Sequence, residues 1–218
     1  PLRARRQVDE PRLLPAADKN SKRLLVMMHG LGDSLAGYLW MPEVLRLPWL
    51  NYVLPNAPDD YYGGYAWFDI YGNIAPGVHR SRALVFELLD HLRAQGWPTE
   101  QTVIGGFSQG GLMALEVGLR YPHRFAGVMS ISGLVCEPDK LIQELSPVAR
   151  EQRVLATHGT FDAVLPFAVT KRQIRHLINA GVNIAWHEFP KEHTIAGEEE
   201  IRLIRDFITA GFGDDRSG

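Results

Sequence analysis

The segment that decides the fold is Thr102-Val-Ile-Gly-Gly-Phe-Ser-Gln-Gly-Gly-Leu-Met-Ala-Leu115. It opens with a short apolar run that predicts a buried strand, and Leu112, Leu115 and Leu119 then recur at helical spacing. Between them lies Gly-x-Ser-x-Gly, with Ser108 at its centre. A sharp turn from strand to helix strains the backbone of such a serine and exposes its hydroxyl, and only glycine fits at the two flanking positions. The segment therefore predicts a strand–turn–helix unit that presents Ser108 as a nucleophile.

Short apolar runs alternate with helical stripes along the rest of the chain. Further apolar stripes at helical spacing lie at Val85–Leu92, Ile174–Ile178 and Ile201–Ile208. Strands that are apolar throughout are typical of a sheet covered on both faces. We therefore predict an α/β domain with a mainly parallel central sheet, whose site lies at the carboxyl ends of the strands. The predicted strands are Leu24–Met28, Tyr52–Leu54, Thr102–Gly105, Ala126–Ile131, Val154–Thr157 and Asn183–Glu188.

Composition excludes several classes of protein. The 218 residues include 45% apolar and 22% charged residues, with a formal net charge of −2, which offers no electrostatic footprint for nucleic acid. The single cysteine, Cys136, excludes an internal disulfide and a cysteine-built metal site. No apolar run is long enough to span a bilayer and no signal-peptide pattern opens the sequence. We expect a cytoplasmic protein without integral membrane contact, and a homodimer is left open.

The ends of the chain lack apolar periodicity. Residues 1–22 carry four arginines, together with Pro11 and Pro15, and predict a flexible N-terminal arm. Residues 23–212 then form a single domain, and residues 213–218 a frayed tail. The arginines of the arm are Arg3, Arg5, Arg6 and Arg12.

A serine nucleophile needs a base within hydrogen-bond reach, and the chain has eight histidines. In the order serine, acid, histidine that α/β-hydrolases follow, the base comes last. His193 fits, because it lies in a loop beyond the last predicted strand. His29 and His158 each end a strand before a glycine, so both are alternative cleft residues. The others lie in predicted helices or inside a strand: His79, His91, His123, His176 and His187.

The acid should lie in the loop after the strand that precedes the histidine. Asp162 occupies that position, four residues after His158. Its carboxylate would orient His193 and stabilise the imidazolium that forms when the serine loses its proton. Glu192 is a rival, but it adjoins His193 and is badly placed to align that ring. Two other aspartates, Asp33 and Asp69, precede Ser108 and fit the order poorly.

A tetrahedral intermediate requires two oxyanion donors. The N–H of Gln109 follows the nucleophile directly, and the second donor should come from the loop after the first buried strand. That loop is His29-Gly-Leu-Gly-Asp33, in which Leu31 is the candidate donor. Phosphate binding is the alternative for a glycine loop, but neither G-K-[ST] nor G-x-G-x-x-G follows a strand in this sequence.

Five motifs follow one another along the chain in the order typical of a known family. Together they resemble the phospholipase/carboxylesterase family of small α/β-hydrolases, which includes the acyl-protein thioesterases. The resemblance spans about Leu24 to Phe207 and implies an α/β-hydrolase fold with a minimal lid or none. It also implies a serine hydrolase of carboxylic esters, lysophospholipids or protein thioesters that needs no cofactor and no metal. The motifs are His29-Gly-Leu-Gly-Asp33, Trp67-Phe-Asp69, Gly106-Phe-Ser-Gln-Gly-Gly111, His158-Gly-Thr-Phe-Asp162 and His193-Thr194.

The resemblance also assigns roles to individual residues. Ser108, Asp162 and His193 become the catalytic triad, and the N–H groups of Leu31 and Gln109 become the oxyanion donors. Two further residues, Trp67 and Leu165, are expected beside the acyl group of a small-molecule or lipid substrate. The rival hypothesis from another class is a binding module that keeps this site as a vestige.

Two features depart from the family pattern. Glu192 stands where the family usually has glycine, so we expect its charged side chain to narrow the cleft or to raise the basicity of the histidine beside it. The stretch Ile70–Gly77 is short for the family, which predicts an open cleft.

Overall fold

The structure, a computed structural model, describes residues 10–213 and is built around one seven-stranded sheet. The nine strands of the described residues are β1 (Arg12–Leu14), β2 (Leu24–Met28), β3 (Asn51–Leu54), β4 (Asp59–Tyr61), β5 (Gly64–Ala66), β6 (Thr102–Phe107), β7 (Gly127–Ile131), β8 (Val154–Gly159) and β9 (Ile184–Phe189). The α-helices are α1 (Met41–Leu45), α2 (Ala75–Ala94), α3 (Gln109–Gly118), α4 (Pro138–Gln143), α5 (Phe167–Asn179) and α6 (Glu198–Ala210).

The strand order in the large sheet is β1-β3-β2-β6-β7-β8-β9, and β4 pairs with β5 in a separate hairpin. Every neighbouring pair in the large sheet is parallel except β1 with β3. Parallel neighbours need crossover connections, which the helices supply. The predicted α/β-hydrolase architecture is confirmed.

Both faces of the sheet are covered, which explains why its central strands are apolar throughout. Along β2, alternate residues pack into two different core clusters. One cluster contains buried residues of α2, α3, α4 and α5, and the other contains buried residues of α1 and α6. The carboxyl ends of β2, β6, β7 and β8 therefore meet at one edge of a covered sheet, which is where the candidate site lies.

All six predicted strands are present, with ends within two residues of the expected positions, and the four helical stripes lie along α2, α3, α5 and α6. The hairpin β4–β5 and strand β1 were missed. Strand β1 lies inside the segment predicted to be a flexible arm, yet it pairs with β3, and the Ala16 N–H donates to Asn51 Oδ1 at 2.8 Å. Of these three residues only Leu14 packs against the core, so the strand is too short to leave an apolar pattern in the sequence.

The remaining predictions for the two ends lie outside the described residues. They concern Arg3, Arg5 and Arg6 of the arm and residues 214–218 of the tail. Among residues 10–213, no helix is both long enough and apolar enough to cross a membrane.

Candidate active site

Ser108 lies at the turn between β6 and α3 with φ 57° and ψ −115°, a backbone conformation that side chains rarely adopt. Two close approaches enforce this turn. A Cβ atom added to Gly106 would overlap the carbonyl oxygen of Gly110, and one added to Gly110 would overlap that of Met28 at the end of β2. Both glycines of Gly-x-Ser-x-Gly are therefore required by backbone contacts. Gly106 contacts the backbone within the turn, and Gly110 lies where α3 meets the end of β2.

Gly110→Ala should lower the free energy of unfolding by about 2–3 kcal/mol, because the new methyl group meets backbone atoms that have no room to move. Chemical denaturation measures the loss. Gly197→Ala is the matched control, since Gly197 has no neighbour within 4 Å and no positive φ, and it should stay within about 1 kcal/mol of wild type. Equal stability of the two variants would contradict the close approach at Gly110.

The structure brings Ser108, His193 and Asp162 together. His193 Nε2 lies 2.8 Å from Ser108 Oγ, and His193 Nδ1 lies 2.7 Å from Asp162 Oδ2. Because an ionised carboxylate only accepts hydrogen bonds, Nδ1 carries the proton and Nε2 is left to accept the serine hydroxyl. The three residues follow β6, β8 and β9, as the sequence predicted from their positions.

The carboxylate of Asp162 is completely buried and fully hydrogen-bonded. Its Oδ1 accepts the N–H groups of Val164 and Leu165 at 2.9 and 2.8 Å, while Oδ2 faces His193. Burial alone would raise the pKa of Asp162, but the hydrogen bonds from His193 and Leu165 outweigh it, so the pKa lies below its usual range. Asp162 is therefore ionised wherever an imidazole could act as a base.

The lack of a side chain at Gly159 allows the loop that carries His193 to lie close to Asp162. A Cβ atom on Gly159, at the end of β8, would overlap the carbonyl oxygen of Lys191. In its absence the loop after β9 crosses directly over the end of β8, and Phe161 donates its N–H to that same carbonyl at 3.1 Å. The His-Gly of the fourth motif thus serves backbone packing that places His193 beside Asp162.

The two alternative histidines do not line the cleft. His29 is fully buried, its Nδ1 donating to the Gly30 carbonyl at 2.7 Å and its Nε2 accepting the Ala57 N–H at 3.0 Å. His158 is also fully buried and donates from Nε2 to the Leu165 carbonyl at 2.9 Å. Burial lowers the pKa of both rings, so both are neutral structural groups.

The two candidate oxyanion donors, Leu31 and Gln109, line the same cavity as Ser108. Gln109 is the first residue of α3, so its N–H has no acceptor within the helix. Gly30, which precedes Leu31, passes so close to the serine that an added Cβ would lie 3.3 Å from Ser108 Cβ. Among residues 10–213, the Leu31 N–H has no hydrogen-bond acceptor. Both amides are thus available to a developing negative charge.

The side chain of Gln109 is a site feature that sequence reasoning missed. Its Oε1 accepts the Trp67 N–H at 2.9 Å and its Nε2 donates to the Phe68 carbonyl at 2.9 Å. A single buried amide thus holds the loop after β5 against the turn that carries Ser108. The signal was present, because both segments are motifs of the family resemblance, but nothing in the sequence indicated that they touch.

A cavity of about 530 Å³ opens beside Ser108 and His193. Its wall is mainly apolar, with aliphatic and aromatic side chains from four loops, as expected for an acyl group. Leu165 lies on this wall, where the family resemblance placed it. Besides Ser108 and His193, the lining residues are Gly30, Leu31, Asp33, Phe68, Ile70, Ile74, Phe107, Gln109, Leu134, Val164 and Leu165.

Trp67 does not lie on the cavity wall, contrary to expectation. Its side chain is 2% exposed and packs in the core, where Nε1 donates to the His29 carbonyl at 2.9 Å. The clamp from Gln109 turns the backbone so that the next residue, Phe68, faces the cavity instead. Glu192 is exposed and also lies outside the wall, so its side chain does not narrow the cleft.

Comparisons with known proteins agree on one family. A family model described as phospholipase/carboxylesterase matches residues 12–211. The chain is 36% identical over 168 residues to acyl-protein thioesterase 1 of Schizosaccharomyces pombe, covering 71% of this chain and 75% of that protein. It is 30% identical over 215 residues to a probable carboxylesterase of Oryza sativa subsp. japonica, covering 91% and 81% respectively. The crystal structure of esterase PE8 superposes with a TM-score of 0.83 at 30% identity, covering 92% of this chain and 97% of that one.

Proposed function

The chain belongs to the phospholipase/carboxylesterase family of α/β-hydrolases and is a carboxylesterase- or thioesterase-type hydrolase, and we propose that Ser108 is its nucleophile. The observation that carries the proposal is the position of His193, whose two ring nitrogens lie 2.8 Å from Ser108 Oγ and 2.7 Å from Asp162 Oδ2. Serine, base and acid in this arrangement make up a catalytic triad.

The first half-reaction forms an acyl-enzyme. Ser108 Oγ attacks the carbonyl carbon of the ester or thioester while His193 Nε2 takes the hydroxyl proton. The carbonyl oxygen becomes an oxyanion and accepts hydrogen bonds from the N–H groups of Leu31 and Gln109. The intermediate then expels the alkoxide or thiolate, and His193 transfers to this leaving group the proton that came from Ser108. Asp162 stays ionised throughout and stabilises the imidazolium.

The second half-reaction is hydrolysis by the same groups. His193 removes a proton from a water molecule as the water oxygen attacks the acyl carbon. Collapse of the second tetrahedral intermediate returns the proton to Ser108 Oγ and releases the carboxylic acid. No step of the proposed cycle requires a metal or another cofactor.

The apolar cavity supports an acyl group as the part of the substrate that is recognised. Aliphatic side chains of Leu134, Val164 and Leu165 face Ser108 across a space of about 530 Å³. At the mouth, Ile70 and Val164 are 43% and 66% exposed, which leaves an open entrance for a bulky leaving group. We propose small-molecule or lipid esters and acyl thioesters as the substrate class, the last because a relative is named an acyl-protein thioesterase.

Labelling and hydrolysis together test this function. A fluorophosphonate probe should modify Ser108 and no other serine, as peptide mass mapping would show, because only an activated serine reacts. The p-nitrophenyl esters from acetate to palmitate should be hydrolysed, with an optimum set by how much of the chain fits the cavity. Absence of both labelling and turnover would contradict the proposal and favour a binding module with a vestigial site.

A further inference from the structure

A buried ion pair lies beneath the loop that carries His193, and the proposed reaction uses neither of its members. Lys191 Nζ lies 2.8 and 2.9 Å from the two carboxylate oxygens of Glu200. The lysine side chain is 4% exposed and that of the glutamate is completely buried. Lys191 is two residues before the histidine, and Glu200 lies in the first turn of α6.

The ammonium group ties the loop to the sheet. Lys191 Nζ donates to the Thr194 carbonyl at 2.8 Å, so the pair closes a short ring of backbone around His193. It also donates to Ser132 Oγ at 3.0 Å, at the residue that follows β7. With Glu200 as the third acceptor, all three ammonium protons are used.

The carboxylate ties the far end of the same loop. Glu200 accepts the hydroxyl of Thr157, in β8, at 2.7 Å and also accepts the Ala196 N–H. Residues 191, 194 and 196 are thereby held to one charged pair, and that pair is held to the ends of β7 and β8. His193 lies between these attachment points, and its neighbours Glu192 and Thr194 are exposed to solvent.

Stability alone does not account for the pair. Removing two charges from water is costly, and an apolar pair of the same volume often stabilises a protein as well or better. A bonded pair with fixed partners does, however, define one position for the segment that it holds. A base that must reach two groups at once depends on such a position, because a displacement of about 1 Å can cost about 100-fold in rate.

We propose that Lys191 and Glu200 are a positioning pair, which holds the loop after β9 so that His193 meets Ser108 and Asp162 at the same time. The proposal rests on the proposed function. Neither residue contacts the reacting atoms, so the expected signature is a loss of kcat with little change of KM. A merely structural pair would affect stability and leave the kcat of the folded enzyme unchanged.

The double variant Lys191→Met/Glu200→Gln removes both charges, and the new amide oxygen can still accept the Thr157 hydroxyl. We expect a folded protein whose kcat for a p-nitrophenyl ester falls about 10- to 100-fold, with KM within about threefold of wild type. The far-downfield proton resonance of the His193–Asp162 hydrogen bond should broaden or disappear. The matched control is Arg120→Met/Glu116→Gln, which neutralises another buried pair, 2.8 Å apart, at the carboxyl end of α3. Their other partners, Arg82 and Glu144, lie 3.8 Å from each other and keep a partner, so kcat should stay within about twofold.

Ser132→Ala is the second variant, and it tests the positioning role of the pair if the double variant does not fold. It removes one acceptor of the ammonium group and should lower kcat about threefold or more without raising KM. The proposal is overturned if the folded double variant, or Ser132→Ala in its place, keeps the wild-type kcat and the downfield resonance. Ser108→Ala distinguishes failure of the positioning proposal from failure of the proposed function, because an active Ser108→Ala protein would refute the proposed function itself.

Discussion

Ser108→Ala should lower kcat for ester hydrolysis by about 10⁴- to 10⁶-fold and abolish labelling by a fluorophosphonate. The variant removes the proposed nucleophile, the hydroxyl oxygen that lies 2.8 Å from His193 Nε2. Water is then the remaining nucleophile, and the oxyanion donors and the cavity are left intact. The residual rate measures what positioning and oxyanion stabilisation achieve without covalent catalysis.

The loss must come from chemistry and not from unfolding. Alanine removes one oxygen and keeps the Cβ atom at the strained turn, so the melting temperature should change little. Ser146→Ala is the matched control, because the Ser146 hydroxyl is buried and has no hydrogen-bond partner among the described residues. It should keep kcat within about twofold of wild type. A Ser108→Ala protein with more than about a tenth of the wild-type kcat would show that another group performs the attack.

Much of the site could be predicted because its signals are local in the sequence. The strand, the glycine turn and the helix around Ser108 are adjacent, so one short segment predicts the proposed nucleophile and the geometry of its turn. Asp162 and His193 followed from topology, since successive parallel strands end at the same edge of the sheet. These inferences needed only the order of the elements and the loop in which each residue lies.

The features that were missed depend on distances between loops. Whether Trp67 or Phe68 faces the cavity depends on two hydrogen bonds with the side chain of Gln109, one accepted and one donated, more than 40 residues away. In the sequence, Lys191 and Glu200 look like two ordinary surface residues, because nothing there indicates that they are buried and paired. Strand β1 pairs with β3 and packs only Leu14 against the core, which is too little to show as a side-chain pattern. In each case the deciding contact is made by atoms whose proximity exists only after the chain has folded.

Asp162→Asn should lower kcat near neutral pH by about 10⁴-fold, although it replaces one oxygen by a nitrogen of almost the same size. Oδ1 already accepts two N–H groups, from Val164 and Leu165, so the amide oxygen is required on that side. The amide nitrogen must then face His193 and, being a donor, requires Nδ1 to accept. The imidazole proton moves to Nε2, which can no longer accept the proton of Ser108.

The surface provides a matched control for this tautomer argument. Asp139 Oδ1 lies 2.6 Å from His176 Nε2, so Asp139→Asn makes the same change in another aspartate–histidine pair and should leave kcat within about twofold of wild type. Both variants should unfold near the wild-type temperature. Asp162→Asn should also still react with a fluorophosphonate, but slowly, because its nucleophile is present and only the base is disabled. A kcat within about tenfold of wild type would mean that His193 keeps its tautomer without the carboxylate, and that Asp162 orients the ring without determining which nitrogen carries the proton.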